Sequence, residues 1–352
     1  SEMGRSVRVF ARGWLVLGET DSPFMVTAVN AAGMLPMLVF SLFGGVIADR
    51  MNRRLVLIAS DGFSLLVMMG LALLVITDVV QVWQVFALAL LNGVGFALGM
   101  PSRSAAVSNL VSHRDLASGV ALSTTIFSSA QLVGPAMAGY LIDSFGEGVP
   151  FVAACLMLLL ALALLLTLRI PIARPRIEAA SQRALLSGIA QGLGYVRQNT
   201  IVKGLILLGL AATIFAMPYQ TLLPVFARDI LHVGPDGFGW LGAMGGAGAI
   251  AGSFTVASFS SLRQMRLLMI TGGILLGAFI VLFAASTIYL LSLALALVLG
   301  FLFQIFMTSN FTMVQVIVPD YIRGRILSIR MVAMGLSPVG MLLLGGGAQV
   351  FG

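Results

Sequence analysis

Residues 150–168 read PFVAACLMLLLALALLLTL, a stretch without a single charge. The hydrocarbon core of a bilayer is about 30 Å thick, and roughly 20 apolar residues in a helix cross it. Lipid offers the backbone no hydrogen-bond partner, so an isolated strand is excluded, and a membrane barrel would show shorter alternating segments instead. This stretch therefore predicts a membrane-spanning α-helix.

Similar apolar stretches recur along the whole chain. We predict eleven spans, over residues 1–18, 24–48, 55–77, 80–100, 117–142, 150–168, 202–227, 238–259, 267–286, 288–311 and 326–350. Composition agrees, because only 9% of the residues are charged, against roughly 25% in soluble domains. One cysteine excludes a disulfide scaffold and a Cys-rich metal site, and we expect no metal or cofactor. The predicted class is an all-α polytopic membrane protein.

The Lys and Arg residues indicate the topology. They cluster in or beside the connectors that follow even-numbered predicted spans, for example at Arg103, Arg263 and Arg330. Cytoplasmic loops of membrane proteins carry an excess of Lys and Arg, so these connectors are expected to be cytoplasmic. The net charge of +7 is therefore interpreted as a topology signal, and no nucleic-acid partner is expected.

The longest connector, residues 169–200, divides the chain into two predicted helix bundles, residues 1–168 and 201–352. It contains Pro171, Pro175 and a run of basic residues, so we expect a cytoplasmic linker with a surface helix near residues 184–196. Six spans before such a linker and a matching set after it are typical of transporters built from two repeated halves.

The connector after the second predicted span reads GVIADRMNRR at residues 45–54. With its glycine, its Asp-Arg pair and its two further arginines, it resembles the signature loop of the major facilitator superfamily. GPAMAG at residues 134–139 resembles the glycine-proline motif of antiporter branches. LPVFARD at residues 223–229 resembles the branch of enterobactin exporters and macrolide efflux proteins, the transmembrane secretion effectors or drug:proton antiporter-3 group.

This resemblance implies two pseudo-repeated six-helix bundles forming a monomer in the bacterial inner membrane. It further implies alternating-access export of a siderophore- or drug-like molecule, amphipathic or anionic, driven by the proton gradient. The family has twelve spans, so we expect the natural protein to extend beyond both ends of this chain. Two alternatives stay open: a lysolipid or lipid translocator of the same fold, and a polytopic membrane enzyme. An enzyme is less expected, because His113 and His232 both fall in predicted loops.

One departure from the family concerns the fourth predicted span. Related drug antiporters carry a buried arginine there, whereas this chain reads LNGVG at residues 91–95. Proton coupling through such an arginine is therefore not expected.

Two motifs have candidate conformational roles. A carboxylate at the membrane surface accepts charge-assisted hydrogen bonds from arginine, so the signature loop is predicted to latch the two bundles together on the cytoplasmic side. The loop residues concerned are Gly45, Asp49, Arg50, Arg53 and Arg54. A topology signal alone is the alternative. Gly134, Pro135 and Gly139 predict a hinge in the fifth span, with ordinary close packing as the alternative.

The first predicted span carries Arg5, Arg8 and Arg12 on one helix face, with Glu19 on the same side. Measured from Thr20 at the outer surface, Arg12 lies about 12 Å deep and Arg8 about 18 Å. A guanidinium group facing lipid at that depth costs roughly 3 kcal/mol or more, so these groups must face a wet cavity or a buried partner. The interpretations left open are a cationic cavity wall for an anionic substrate and pairing with acids elsewhere.

Polar, uncharged side chains within the apolar spans complete the predicted substrate cavity. These are Asn30, Gln131, Tyr219, Gln220 and Gln304, and each is also compatible with a hydrogen bond between packed helices. Glu19 and Asp61 are the acids available for proton coupling.

Overall fold

The computed structural model describes residues 1–50, 53–110, 116–167, 191–259 and 261–351, with side chains omitted at 39–50, 53, 101, 104–110, 116–122, 124, 320 and 351. These residues are helical almost throughout and include no strand. The first half of the fold comprises α1 (Glu2–Thr20), α2 (Pro23–Arg50), α3 (Arg53–Ile76), α4 (Val82–Leu110), α5 (Leu116–Phe145) and α6 (Val149–Thr167).

A short helix, α7, is described over residues 191–198. The second half comprises α8 (Thr200–Ala211), α9 (Leu223–Val225), α10 (Pro235–Ala257), α11 (Leu262–Ala284), α12 (Tyr289–Ile317), α13 (Asp320–Met334) and α14 (Ser337–Phe351). Eight segments among the described residues are long and apolar enough to cross a bilayer, and α6 has the highest mean hydropathy of them, 2.9. The predicted all-α membrane class is confirmed.

The seventh predicted span is not a regular α-helix. A π-helical turn (Ala212–Ala216) and a 3-10 turn (Met217–Leu222) separate α8 from α9, and a second π-helical turn (Phe226–Ile230) follows. Pro218 and Pro224 have no backbone N–H, so the regular hydrogen-bond ladder cannot continue past them. Within this bent segment lie residues of the second half that line the cavity described below.

Arg103, which was predicted to lie in a connector, is inside a helix, and Arg330 is helical as its predicted span 326–350 requires. Helix α4 continues to Leu110, so Arg103 is helical and forms an ion pair with Asp61 of α3 at 2.6 Å. Arg330 lies in α13, donates a hydrogen bond to Asn310 of α12 and is 9% exposed. Polar partners on neighbouring helices make these helical positions favourable, and periodicity alone does not reveal such partners.

The two halves pack together through α5 with α10 and α2 with α14. A Cβ atom on Gly239 of α10 would lie 2.7 Å from the Pro135 carbonyl oxygen and 3.0 Å from the Gly139 Cα atom of α5. A side chain at Gly345 of α14 would collide with Thr27 of α2. Helices in lipid gain stability from such close backbone contact, because lipid supplies no hydrophobic drive for their association.

Polar contacts extend this interface between the two halves, called the seam below, to the end of the fold where α1 stops. Arg228 lies 2.8 Å from the Asp21 carboxylate and donates a hydrogen bond to the Leu17 carbonyl at 3.1 Å. Ser22 donates a hydrogen bond to Gln349 of α14 at 2.7 Å. The described contacts between the halves thus run from the Asp21 end of the fold toward its middle.

Most of the predicted linker, residues 169–200, lies outside the described residues. Its described part contains α7, which includes part of the predicted surface helix at 184–196. Helix α7 packs on α13, where Arg325 donates a hydrogen bond to Gln191 at 2.5 Å.

We expect Gly239→Ala to lower the thermal unfolding midpoint, because the added methyl group forces α5 and α10 apart. Overpacking of this kind costs about 1–3 kcal/mol. Gly277→Ala is the matched control, since a Cβ atom on Gly277 of α11 meets nothing within 4 Å. Thermal unfolding of both purified variants in the same detergent checks this, and an equal effect of the two changes would contradict the close contact.

Candidate functional site

A cavity of about 200 Å³ lies between the two halves, on the Ser1 side of the seam. Helices α1, α2, α4 and α5 line it from the first half, and the 3-10 turn, α10 and α14 reach it from the second half. Its aromatic wall is formed by Phe10, Phe96 and Phe238, and Phe10 stacks on Phe238 with ring centroids 5.1 Å apart. The remaining wall combines small and apolar residues with a few polar side chains, among them Arg8, Arg12 and Asn30.

Arg12 is held in the cavity wall by uncharged groups. Its Nη2 atom donates a hydrogen bond to Asn30 Oδ1 at 2.8 Å, and Asn30 Nδ2 donates to the Val26 carbonyl at 3.0 Å. A Cβ atom on Gly33 would lie 3.4 Å from Arg12 Nη1, so the guanidinium group lies against the bare backbone of α2. Asn30 therefore orients Arg12 without neutralising its charge.

Arg8 lies one helical turn from Arg12 and lines the same cavity. The exposed fraction is 8% for Arg8 and 6% for Arg12, and the Nε atom of each has no hydrogen-bond partner. Side chains four residues apart on a helix lie on the same face, so the two positive charges repel each other. An anion in the cavity would relieve both the repulsion and the loss of hydration.

Two further cavity residues have buried polar atoms without partners. Asn92 of α4 presents its Nδ2 atom and Ser6 of α1 its Oγ atom, and their exposed fractions are 7% and 4%. Neither residue is among the cavity positions predicted from the sequence. The sequence could have indicated Asn92 as a cavity residue, because it is a lone polar residue within an apolar span and precedes a glycine.

Arg5, the third arginine of α1, belongs to a chain of alternating charges. Its Nε atom lies 2.9 Å from Glu2, which also contacts Arg103 at 2.9 Å, and Arg103 contacts Asp61 at 2.6 Å. The Arg5 guanidinium also lies over the ring of Phe96, 5.3 Å from its centroid. Asp61, one of the two acids predicted for proton coupling, thus pairs with Arg103 of α4.

The two interpretations of the α1 arginines therefore apply to different residues. Pairing with an acid applies to Arg5, through Glu2 on the same helix. Within the described part of the chain, Arg8 and Arg12 form no ion pair and face the cavity.

Gln131 of α5 and Gln220 of the 3-10 turn line the cavity from opposite halves. Three predicted cavity residues lie elsewhere. Tyr219 packs edge-on against Phe283, with centroids 6.3 Å apart, because the 3-10 turn points it into the second half. Gln304 donates a hydrogen bond to Thr308 on its own helix at 2.9 Å. Glu19 is exposed near the end of α1 and does not line the cavity.

The predicted hinge and signature loop are only partly described. Gly134 faces Ser6 of α1, where a side chain would collide, and Gly139 faces α10, so both glycines take part in close packing. Arg54 donates a hydrogen bond to the Leu166 carbonyl of α6 at 2.6 Å. The side chains at the other predicted loop positions, Gly45, Asp49, Arg50 and Arg53, lie outside the described residues.

An all-helical membrane protein with a cavity between two sets of helices has the architecture of a carrier. The sequence pattern of the family described as transmembrane secretion effector matches residues 1–351. The chain belongs to the transmembrane secretion effector family.

Curated relatives of this transmembrane secretion effector are pumps and transporters. It is 28% identical over 351 residues to the multidrug efflux pump Tap of Mycolicibacterium fortuitum, covering 97% of this chain and 85% of the pump. It is 24% identical to the staphyloferrin A transporter of Staphylococcus aureus, covering 99% and 87%. Identity to macrolide efflux protein A of Enterococcus faecalis is 25% over 252 residues, covering 71% and 77%. The chain is thus a transporter and not an enzyme.

Solved structures confirm the major facilitator fold. The secretion effector matches the nucleoside transporter NupG with a TM-score of 0.70 at 15% identity, covering 100% of this chain and 91% of that one. It matches the inward-open xylose transporter XylE from E. coli with a TM-score of 0.67 at 17% identity, covering 99% and 92%.

Glu19 takes part in a different feature, a group of acids at the Asp21 end. Half-buried Glu147, in the turn between α5 and α6, lies near Glu19 and Asp78. Burial, and then the negative charges of Glu19 and Asp78, raise the pKa of the Glu147 carboxyl. Since the folded-state pKa is the higher one, the free energy of unfolding falls as pH rises through it.

We expect Glu147→Gln to raise the thermal unfolding midpoint at about pH 8 and to leave it unchanged at about pH 4, where the carboxyl is already protonated. Glu147→Asp keeps the charge and is the control. Melting curves of the three proteins across this pH range check the prediction. A shift of equal size at both pH values would show that the charge is not the cause.

Proposed function

We propose that this secretion effector exports a small anionic, amphipathic molecule across the bacterial inner membrane by alternating access. The cargo binds in the cavity between the halves. The observation that carries the proposal is the pair Arg8 and Arg12, two buried guanidinium groups that line the cavity and keep unpartnered N–H donors. Buried charges in membrane proteins mark substrate paths, because their desolvation is otherwise uncompensated.

The amphipathic character of the cargo follows from the opposite wall. Phe10, Phe96 and Phe238 offer an apolar surface beside the arginines, so a ligand with an acidic group and a flat or apolar body satisfies both walls. Gln131 approaches from the first half and Gln220 from the second. Both can contact one ligand only while the two halves surround it.

Alternating access is supported by where the halves touch. The seam closes the Asp21 end, while the cavity lies on the Ser1 side, which the Lys and Arg pattern places toward the cytoplasm. We propose that residues 1–168 and 201–352 rock as two bundles joined by a cytoplasmic linker. Opening the outer end would break the Arg228–Asp21 pair, whose carboxylate is 80% exposed, so the cost is small. The Asp49–Arg53 latch would then hold the cytoplasmic side closed.

The names of the relatives indicate a range of cargo classes but do not identify the cargo of this chain. One is a staphyloferrin A transporter, and others are multidrug and macrolide efflux proteins. A cavity wall with two arginines favours the anionic members of such a range, because a cationic drug would meet like charges there.

We also propose that export is coupled to the proton gradient. Asp61 is the candidate carboxylate, since the chain through Arg103 and Glu2 links it to Arg5 in the cavity wall. Glu19, the other predicted acid, lies at the Asp21 end, away from the cavity.

We expect Arg12→Ala to weaken export of an anionic cargo, with a rise of about 10- to 100-fold in the half-saturating concentration, because hydrogen bonds to a charged group contribute about 1.5–3 kcal/mol. Everted membrane vesicles with an acidic interior and a pH-sensitive dye report this, with anionic siderophores and then cationic amphiphilic drugs as candidate cargo. Gradient loss with the anions alone supports the proposal, and loss with the cationic drugs alone contradicts it.

Arg12→Lys is the matched control for charge. It keeps the positive charge but loses the planar fork, so partial recovery of anion export is expected. Arg266→Ala, an exposed arginine at the start of α11, controls for a general loss of positive charge and is expected to behave as wild type. Uptake that depends on a membrane potential but not on a pH difference would contradict proton coupling and leave the anion site intact.

A further inference from the structure

The spacing of the two cavity arginines restricts the cargo further, given the anion site proposed above. Residues four apart on a helix have Cβ atoms about 5–6 Å apart on the same face. Arg8 and Arg12 have this spacing, and both line the cavity. Asn30 holds the Arg12 guanidinium against Gly33, so its position is determined by α2.

Four buried polar atoms without partners belong to residues that line this space: Ser6 Oγ, Arg8 Nε, Arg12 Nε and Asn92 Nδ2. Three of the four are N–H groups, which can only donate, and the serine hydroxyl can donate as well. A buried donor without an acceptor is costly, so a ligand that reaches these groups is favoured when it brings several acceptor oxygens.

We propose that the cavity takes a ligand with two separate anionic groups about one helical turn apart, one bound by Arg8 and the other by Arg12. Asn92 and Ser6 are specificity-determining residues that supply neutral donors to the same groups. The chemical class is a dicarboxylate or an equivalent polyanion.

Two anionic groups fit better than one for an electrostatic reason. A single carboxylate that pairs with one guanidinium leaves the other buried beside it without compensation. A second carboxylate neutralises that charge and uses the remaining Nε–H donor. The preference for the doubly charged ligand must therefore depend on both arginines, and removing either one should abolish it.

The test compares two rigid ligands of nearly equal shape, benzene-1,4-dicarboxylate and its monoamide, 4-carbamoylbenzoate. Isothermal titration with the full chain in lipid nanodiscs measures both affinities. We expect the dicarboxylate to bind at least about tenfold more tightly to wild type. In Arg8→Gln and in Arg12→Gln the ratio of the two affinities should fall to about one. Arg266→Gln should leave the ratio unchanged.

Asn92→Asp tests the neutral donor separately. A carboxylate there repels the ligand and replaces the donor, so it should weaken dicarboxylate binding more than monoamide binding. Asn199→Asp is the matched control, because Asn199 caps α8 through its side-chain oxygen and aspartate caps equally well. Thermal melting of each variant verifies that it is folded.

The outcomes separate this inference from the proposed function. Equal wild-type affinities for the two ligands, with both weakened by Arg12→Gln, would overturn the two-group site and leave the anion site standing. Binding of neither ligand, with retained binding of a cationic amphiphile, would overturn the proposed function itself. A wild-type preference that survives Arg8→Gln would show that Arg8 does not bind the second group.

Discussion

The energetic constraint on this fold is the burial of two guanidinium groups, Arg8 and Arg12, on α1. Helix α1 is the first predicted span, and neither group could face hydrocarbon without a cost of roughly 3 kcal/mol. Helix α1 is therefore surrounded by α2, α4, α5 and α6, and the arginine face is turned inward. The cavity between the halves lies where those groups need a polar environment, so the burial of α1 and the proposed function depend on the same two residues.

Glycine makes room for this arrangement. A side chain at Gly93 would collide with the Gly33 carbonyl, so α2 and α4 approach closely directly beneath the Arg12 guanidinium. That approach also brings Asn92 to the cavity wall, since it precedes Gly93 on α4. Gly134 accommodates Ser6 in the same way on the α5 side. Close backbone contacts thus place the polar groups, whereas in a soluble core bulky side chains would do so.

Apolar length and charge spacing were sufficient to predict much of this from the sequence. Each predicted span falls on helix, and the arginine face of α1 was recognised because spacings of three and four are visible without a structure. The direction in which individual side chains point was not predicted correctly. Tyr219 and Gln220 are adjacent in the sequence, yet only Gln220 reaches the cavity, because a 3-10 turn between two prolines sets their orientation. Such a turn leaves no periodic trace in hydropathy.

The ion-pair partners of charged residues were the other feature that could not be predicted from the sequence. The ion pair of Asp61 was not predicted, because its partner Arg103 was expected in a loop, since apolar character ends near Met100. Helix α4 continues past that point, and the ion pair then stabilises the extension. A pattern of apolar residues shows where lipid ends, whereas the end of a helix depends on contacts that only the packed structure supplies.

The charge of the cargo also bears on energy supply. The cavity arginines return with the empty carrier, so one transport cycle moves the charge of the ligand and of any exchanged ion only. In a cell that is negative inside, outward movement of one negative charge gains about 2.3 kcal/mol per 100 mV, and a doubly charged ligand gains twice that. For such a cargo the membrane potential supplies a large part of the export work. A proton gradient would then add to a potential that already favours export. An anion neutralised by Arg8 and Arg12 would cross without net charge, so the potential would act on the return of the positively charged empty carrier.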